Sequence, residues 1–308
     1  MAFRTLEITK PAEIHIHEGQ MRIEQEEGTA EIPLEDLATI VCRGANIRMS
    51  TMAMEKICKQ GIVLMIQDEK YSAAGFLTSY QGNSRQSLVM RRQIDFPEEM
   101  IREVWMEIIH QKVKNQAEVL KILGKDADSV LNLENQLNPD TVDKVEAEAA
   151  KVYFQRLFPG LNRRTECPIN SCLNYGYAVV RNALIRSLLL AGFLPALGLH
   201  HRNYRNTDNL ADDFIEPWRP MVDLIAASND RTNIKLNKQE RGELAHVLHN
   251  ACRIGGRKMA VLSALEVSVN SFRQIVLAAG KGNRLEDMLC KLQLPLVIPV
   301  ESAELLNE

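Results

Sequence analysis

The sequence predicts an α+β fold, in which a small N-terminal β-rich domain is followed by a larger all-α domain. Apolar and polar residues alternate near the start of the chain, whereas from Arg91 onward apolar residues recur at spacings of three and four. Between the two regions lies a polar stretch with a glycine, SYQGNSRQS, which is typical of a linker. We therefore place the β-rich domain at residues 1–80 and the helical domain at residues 81–308.

The β-rich domain is predicted to begin with a hairpin and to contain two buried strands. Residues 13–18 alternate with period two, Gly19 interrupts the pattern, and residues 21–24 alternate again, as paired strands do. Residues 37–42 and 62–66 are mostly apolar, which indicates strands that are buried on both faces.

Helices account for the rest of the predicted structure. In the β-rich domain Ser50 or Thr51 can cap one short helix, and Gly61 ends it. In the second domain the spacing of residues such as Val104 and Ile108 predicts long helices. We expect these helices near residues 98–123, 143–157, 171–191, 209–227, 237–254 and 260–279.

Charge and composition restrict the classes of function. The chain has 308 residues, of which 45% are hydrophobic, and its net charge is −3, so it lacks the overall positive charge of a general nucleic-acid binder. Acids and bases are mixed along the chain, because residues 1–93 contain eleven Lys or Arg and twelve Asp or Glu. Any contact with DNA must therefore come from a local patch.

Three features predict a cytoplasmic protein that does not enter a membrane. The first ten residues are charged rather than apolar, so no leader peptide is expected, and Arg186 interrupts the longest apolar run. The six cysteines lie far apart without a C-x-x-C pair, as is usual for reduced thiols in a chain of this length.

Glu146 is the first candidate for metal binding. On a helix it shares one face with Ala149, Ala150 and Tyr153, so its carboxylate needs a partner if that face is buried. The same spacing fits a capping box, with Asp143 as the N-cap and Glu146 as the third helical residue. Spacing alone favours the cap.

A second group of acids follows two adjacent histidines. If residues 209–219 are helical, Asp212, Asp213 and Glu216 project from one side and repel one another. A divalent cation would remove this repulsion, since Mg²⁺ or Mn²⁺ binds carboxylates and Mn²⁺ also accepts imidazole. The alternative is again a helix cap, formed by Asn209 and Asp212.

Three longer motifs are more specific than these spacings. They are E-x-x-A-A-x-x-Y-F at residues 146–154, PINSCLNYGYAVVRNALIRSLLLAGFLPALGLHH at 168–201 and LADDFIEPWRPMVD at 210–223. Together they resemble the Cas-one family of CRISPR-associated adaptation endonucleases and integrases, and the third resembles its type II branch. The resemblance covers nearly the whole chain. It implies an N-terminal β domain that forms a dimer and a helical catalytic domain.

The resemblance also implies the site residues. The catalytic metal ligands of the family fall on Glu146, on His201 at the end of Gly-x-x-His, and on Glu216 before the Pro-Trp-Arg-Pro segment. His200 is then the spare histidine. Asp213 matches an acidic companion that supports the ligands without binding the metal.

The implied function is a DNA endonuclease and integrase that uses Mg²⁺ or Mn²⁺. It would join short spacer DNA to a repeat array by phosphodiester transesterification, as part of antiviral defence. The implied partners are double-stranded DNA, a second copy of the chain, the small Cas-two protein and other type II CRISPR proteins. Two alternatives stay open: a non-catalytic DNA-binding scaffold subunit, in which Glu146 and Asp212 are helix caps, and a phosphohydrolase acting on small nucleotides.

DNA binding requires cationic side chains, because phosphate contacts dominate affinity. Two groups of arginines are candidates for the local patch, although each side chain could equally be an ordinary solvated charge. They are Arg85, Arg91 and Arg92 after the linker, and Arg163 and Arg164 before Cys167.

A rival nuclease motif occurs in the β-rich domain. Asp68-Glu69-Lys70 follows a predicted strand, as does the acid-x-Lys half of a restriction-type metal site. Charged turns after strands are common, so we expect this motif to be dispensable for catalysis.

Overall fold

Two compact units, Met1–Ser84 and Arg85–Glu308, make up the structure, which is a computed structural model. It describes residues 4–44, 46–68, 73–79, 85–228, 234–279 and 285–300. The first unit is rich in strands and the second is mostly helical, so the predicted α+β class is confirmed. Residues 80–84 of the predicted linker, and Glu69 and Lys70 of the rival motif, lie outside the described residues.

The described residues of the first unit form two four-stranded sheets and one α-helix. Its elements are β1 (Arg4–Ile8), β2 (Ala12–His17), β3 (Gln20–Gln25), β4 (Gly28–Pro33), β5 (Leu37–Arg43), β6 (Ile47–Met49), α1 (Thr51–Lys59), β7 (Val63–Gln67) and β8 (Ala73–Leu77). One sheet has the order β1-β5-β7-β8, in which β1, β5 and β7 are parallel. The other has the order β4-β3-β2-β6, in which β2, β3 and β4 are antiparallel.

The predicted hairpin is formed by β2 and β3. Ile14 pairs with Ile23, and Ile14, Met21 and Ile23 are buried while Ile16 is partly buried. Glu18 and Gly19 both have positive φ, 48° and 77°, which is the backbone pattern of a type I′ turn. Ser50 caps α1 as predicted, because its hydroxyl accepts a hydrogen bond from a backbone N–H one turn later at 3.2 Å.

The second unit is a helical assembly with one short hairpin. Its elements are α2 (Gln86–Ile94), α3 (Glu98–Ile122), α4 (Asp128–Glu134), α5 (Val142–Leu157), α6 (Pro168–Ala191), α7 (Asn209–Phe214), α8 (Arg219–Ala227), α9 (Lys238–Ala245), β9 (Ala251–Ile254), β10 (Arg257–Ala260), α10 (Val261–Ala278) and α11 (Leu285–Leu289). Aromatic rings fill its core. Phe272 of α10 lies 5.1 Å from Phe193 and 4.9 Å from Phe214, measured between ring centres.

Two predicted helices are wrong in extent. The helix expected at 209–227 is interrupted after α7 by a 3₁₀ turn containing Pro217, which has no N–H to donate, and α8 then follows. The helix expected at 237–254 ends at Ala245, because residues 251–254 form β9 instead. β9 pairs with β10 in a hairpin and, through Arg253, with Leu296, so strand pairing overrides the helical spacing.

Helix α10 is apolar but belongs to the protein core. It is the one described helix that is long and apolar enough to cross a membrane, with 18 residues and a mean hydropathy of 1.2. A core helix of a folded protein can have the same length and hydropathy. Over the 18 residues of this helix, 56% is buried inside the protein, and Glu266 forms an ion pair with Arg186 of α6 at 2.6 Å.

Asn115 of α3 fixes two distant parts of the helical unit. Its buried side-chain amide donates hydrogen bonds to the carbonyls of Pro217 at 2.7 Å and Pro295 at 2.9 Å. Its oxygen accepts from the N–H of Val297 at 3.2 Å. Helix α3 therefore holds both the turn after α7 and the C-terminal segment.

Candidate metal centre

A polar centre forms where α3 and α5 meet the turn after α7. Lys112 of α3 is only 7% exposed. Its ammonium contacts the carboxylate of Glu146 on α5 and lies 2.5 Å from Oε2 of Glu216. Arg219 pairs with the other oxygen of Glu216 at 2.9 Å. Two of the three predicted ligands are thus brought together around one buried lysine.

The buried charges in this centre stabilise one another. Burial by itself raises the pKa of Glu216, but attraction to Lys112 and Arg219 outweighs it and lowers this pKa to about 2. Burial by itself lowers the pKa of Lys112, but Glu216 and Glu146 outweigh it, so this pKa is raised. Glu216 and Lys112 are therefore both charged at neutral pH.

The third predicted ligand, His201, is oriented by Asp213. Its Nδ1 lies 2.7 Å from a carboxylate oxygen of Asp213, which is fully buried and also accepts the backbone N–H groups of Leu199, His200 and His201. The hydrogen bond to Asp213 raises the pKa of His201, and burial opposes this only in part. Because Nδ1 is engaged, Nε2 is the ring nitrogen that could bind a ligand.

Gly198 permits this turn for a steric reason. A Cβ at this position would lie 2.4 Å from the backbone oxygen of His201 and 2.8 Å from Oδ2 of Asp213. Both distances are shorter than non-bonded atoms tolerate. The Gly-x-x-His spacing of the sequence therefore reflects the close packing that places the imidazole against its acid.

The two adjacent histidines have different surroundings. His200 stacks on Trp105 of α3, with ring centres 4.3 Å apart and an angle of 2° between the planes. The indole N–H of Trp105 donates to Asp143 at 3.4 Å. His201 meets the same indole edge-on, at 6.1 Å between ring centres. Trp105 thus lies between α5 and both histidines.

Both helix-cap alternatives are wrong. Helix α5 begins one residue before Asp143, so this acid lies inside the first turn, and Glu146 contacts Lys112 rather than the helix start. Asn209 is the first residue of α7 rather than its cap. Asp212 forms an ion pair with an arginine of α6 at 2.6 Å.

A second buried network lies next to this centre. Asp223 of α8 is almost fully buried and accepts hydrogen bonds from the hydroxyls of Tyr153, at 3.0 Å, and Tyr177. The Arg219 guanidinium, which pairs with Glu216, lies 4.7 Å from the Tyr177 ring centre. Burial raises the pKa of Asp223 to about 6, although the two tyrosines and Arg219 oppose this.

The predicted ligands do not form a closed coordination set. In the described part of the chain, one group of three acidic or imidazole side chains has all its ligand atoms within 4.8 Å of one another. It is an exposed cluster on the β2–β3 hairpin, Glu13, His15 and Glu24. The predicted ligands are wider apart, and the Lys112 ammonium lies between their two carboxylates.

The side chains nevertheless fit a divalent cation. Two carboxylates and one imidazole are donors that Mg²⁺ and especially Mn²⁺ accept. The space between the carboxylates already contains a cation, the ammonium of Lys112. Oε2 of Glu216 is buried and has an ion-pair contact without a directed hydrogen bond. Glu146 is 28% exposed, so an ion can reach the centre from solvent.

Comparison with known proteins identifies the family. The family model described as "CRISPR associated protein Cas1" matches residues 6–253. The chain belongs to the Cas1 family. It is 32% identical, over 98% of both chains, to the CRISPR-associated endonuclease Cas1 of Neisseria meningitidis serogroup C (strain 8013). It is 28% identical to the CRISPR-associated endonuclease Cas1 2 of Pyrobaculum aerophilum, over 70% of this chain and 79% of that one.

Solved structures share the Cas1 fold. A CAS1 protein from Thermotoga maritima matches with a TM-score of 0.70 and 15% identity, over 90% of this chain and 98% of that one. A casposase bound to integration product matches with a TM-score of 0.72 and 16% identity, over 92% and 93%. At these identities the likeness establishes the fold alone.

Sequence reasoning missed two residues of the centre of this Cas1-family chain, Lys112 and Trp105. A signal for Lys112 was present, because it lies four residues after Ile108 and three after Ile109 and therefore on the apolar face of α3. A lysine on a buried face needs an anionic partner. The sequence does not show which acids supply it.

The first group of predicted DNA-contacting arginines lies at α2. Arg85 precedes this helix, and Arg91 and Arg92 are in its last turn. The side chain of Gln93 donates hydrogen bonds of 3.0 Å to two carbonyls in the loop between α6 and the histidines. Helix α2 is therefore attached to the segment that leads into the candidate metal centre.

The second group precedes α6. Arg163 donates hydrogen bonds to Asn170 and to a second asparagine, and its guanidinium lies 5.8 Å from the ring centres of Phe154 and Tyr177. Arg164 is exposed. Arg163 thus has contacts within the fold.

Proposed function

We propose that the chain is a metal-dependent DNA endonuclease and integrase of CRISPR adaptation, similar to the type II branch. It joins short spacer DNA to a repeat array by phosphodiester transesterification and so serves antiviral defence. Family membership and relatives named as endonucleases support the nuclease activity. The observation that carries the proposal is the meeting of Glu146 and Glu216 at one buried ammonium, near an imidazole oriented by Asp213.

Glu146, His201 and Glu216 would hold Mg²⁺ or Mn²⁺. When bound, such an ion reduces the charge on the phosphoryl oxygens and favours ionisation of a 3′-hydroxyl or water. The two carboxylates provide negative charge, while the imidazole adds a ligand without adding charge. Asp213 holds the imidazole ring, and three backbone N–H groups hold Asp213 in turn.

The proposed reaction exchanges one phosphodiester for another. The 3′-hydroxyl oxygen attacks phosphorus in line with the leaving oxygen, so that one P–O bond forms and one breaks. The hydroxyl proton is lost to solvent, and the leaving oxygen gains one from solvent. Because the number of phosphodiesters is unchanged, no nucleoside triphosphate is consumed.

Strand transfer of a short duplex into a plasmid that carries a repeat, in the presence of Mn²⁺, tests this function. We expect Glu146→Gln and Glu216→Gln to abolish transfer. Glu148→Gln is the matched control, because Glu148 lies on α5 but is exposed. Transfer at the wild-type level in either ligand variant would contradict the assignment. A scaffold subunit would bind DNA without metal-dependent transfer even in the wild type.

The proposal includes partners and location. The expected partners are double-stranded DNA, a second copy of the chain through residues 1–80, a Cas2 protein and other type II CRISPR proteins, all in the cytoplasm. A solved complex titled "Cas6-RT-Cas1--Cas2 complex" has a chain of which 35% matches 89% of this chain, at a TM-score of 0.66 and 16% identity. The proposed DNA contacts are Arg85, Arg91, Arg92, Arg163 and Arg164.

A further inference from the structure

Lys112 is unusual because, among the lysines whose burial the structure describes, it is the one classed as buried. Its side chain is 9% exposed, and its ammonium contacts two carboxylates from different parts of the helical unit, those of Glu146 and Glu216. Lysine is rarely buried without a function or a pair of acids, because the ammonium loses its hydration. Here the two acids that compensate Lys112 are two of the proposed metal ligands.

The two carboxylates and the two cations that contact them have a total charge of zero. Glu146 and Glu216 contribute two negative charges, and Lys112 and Arg219 contribute two positive charges. A divalent cation added to this neutral set would leave two uncompensated positive charges in a buried site. Such an excess is strongly unfavourable, and the departure of one monovalent cation from the carboxylates halves it, so metal binding favours that departure.

Lys112 is the cation that can leave. Arg219 is held by Glu216 and lies over the ring of Tyr177 at 4.7 Å. Lys112 has a flexible four-carbon chain that ends in a single charged group, and its ammonium lies between the two carboxylates. A rotation about the side-chain bonds of Lys112 would open that space without moving α3.

We infer that Lys112 is a built-in counter-ion that metal must displace from the centre. This inference rests on the proposed function. Without metal, the ammonium contacts both carboxylates and holds Glu146 and Glu216 close together despite their mutual repulsion. When metal binds, one cation is exchanged for another, so Lys112 lowers the affinity for metal while it stabilises the metal-free protein.

The test replaces Lys112 with methionine, which keeps an unbranched side chain, shorter by one atom, and removes the charge. In isothermal titration of the full chain with Mn²⁺, without DNA, K112M should bind at least tenfold more tightly than wild type. In thermal unfolding, K112M should melt at a lower temperature than wild type without metal, and Mn²⁺ should raise its melting temperature by more. Lys114→Met is the matched control, because Lys114 is exposed on the same helix. It should change neither the Mn²⁺ affinity nor the melting temperatures with and without Mn²⁺.

The outcomes separate this inference from the proposed function. If K112M binds Mn²⁺ no more tightly than wild type, and Glu216→Gln abolishes the binding that wild type shows, then the inference about Lys112 is overturned while the proposed metal site stands. If wild type binds no Mn²⁺, or if Glu216→Gln binds as wild type does, the proposed metal site is wrong. Should K112M be unfolded without metal, folding on addition of Mn²⁺ supports the inference, and failure to fold at any Mn²⁺ concentration overturns it.

Discussion

Replacing Glu216 with glutamine should lower the free energy of unfolding, and the loss should depend on pH. Glutamine keeps the shape of the side chain but removes the charge that compensates Lys112 and Arg219. The pKa of Glu216 falls from 4.5 to about 2 in the folded protein, which corresponds to about 3 kcal/mol of stabilisation at neutral pH. The charged carboxylate of wild type therefore contributes a large part of the stability of a typical domain.

The sign of the pH dependence follows from the direction of this shift. The unfolded chain binds a proton at Glu216 more readily than the folded protein, so the stabilisation is complete above about pH 5 and is lost as the pH falls toward 2. Between pH 6 and pH 3.5 the contribution of this one group should fall by about 1.5 kcal/mol. Glutamine has no such dependence.

Urea unfolding of wild type and Glu216→Gln at pH 6 and pH 3.5 measures the effect. The difference in unfolding free energy between the two proteins should be about 3 kcal/mol at pH 6 and should shrink by about half at pH 3.5. Glu148→Gln, at an exposed position of α5, controls for the loss of one acid. A difference that is the same at both pH values would show that Glu216 is not held ionised by its two cations.

Four further predictions concern other parts of the structure. His201→Ala should lose Mn²⁺-dependent strand transfer while His200→Ala keeps most of it, and the opposite ranking in the transfer assay would show that the wrong histidine was chosen. Gly198→Ala should destabilise the protein by about 1–3 kcal/mol in urea unfolding and impair transfer, because its Cβ overlaps the His201 backbone; wild-type stability would contradict that packing. Because the pKa of Asp223 is raised to about 6, ionisation of this group should lower the unfolding free energy of wild type by about 2 kcal/mol between pH 4 and pH 7. Asp223→Asn should therefore gain about 2 kcal/mol of stability relative to wild type over that range, which urea unfolding at both pH values would measure. Sedimentation at micromolar concentration should give a dimer, and Asp68→Ala should leave both the dimer and strand transfer unchanged; a monomer, or loss of transfer, would assign the first unit a different role.

The positions of the candidate ligands could be predicted from sequence motifs, but their surroundings could not. The pattern around Glu146 and the Gly-x-x-His spacing before His201 are local features that short segments retain. The pairing of Lys112 with acids 34 and 104 residues later depends on how α3 packs, which no local pattern encodes. The buried lysine was therefore visible only as an unexplained charge on an apolar face.

The fold shows the same division between local and distant causes. The β2–β3 hairpin was predictable because its alternation and Gly19 lie within a dozen residues. The helix expected at 237–254 failed because β9 pairs along its whole length with β10 across a Gly255-Gly256 turn, and Arg253 adds one bridge to Leu296, more than forty residues further on. The break at Pro217 could have been read from the sequence, since a proline has no amide hydrogen for a helix interior.

Asn115 has a consequence for the order in which the protein acquires its centre during synthesis. The carbonyl next to Glu216 and the segment at Pro295 to Val297 are both held by this one side chain. A ribosome that has translated α5, the histidine loop and the turn after α7 has therefore made every candidate ligand but not the final anchor of the turn that carries Glu216. The nascent chain reaches that arrangement only when residues 295–297 emerge, so a protein truncated before Pro295 would contain all the proposed metal-binding side chains and lack the support that fixes one of them.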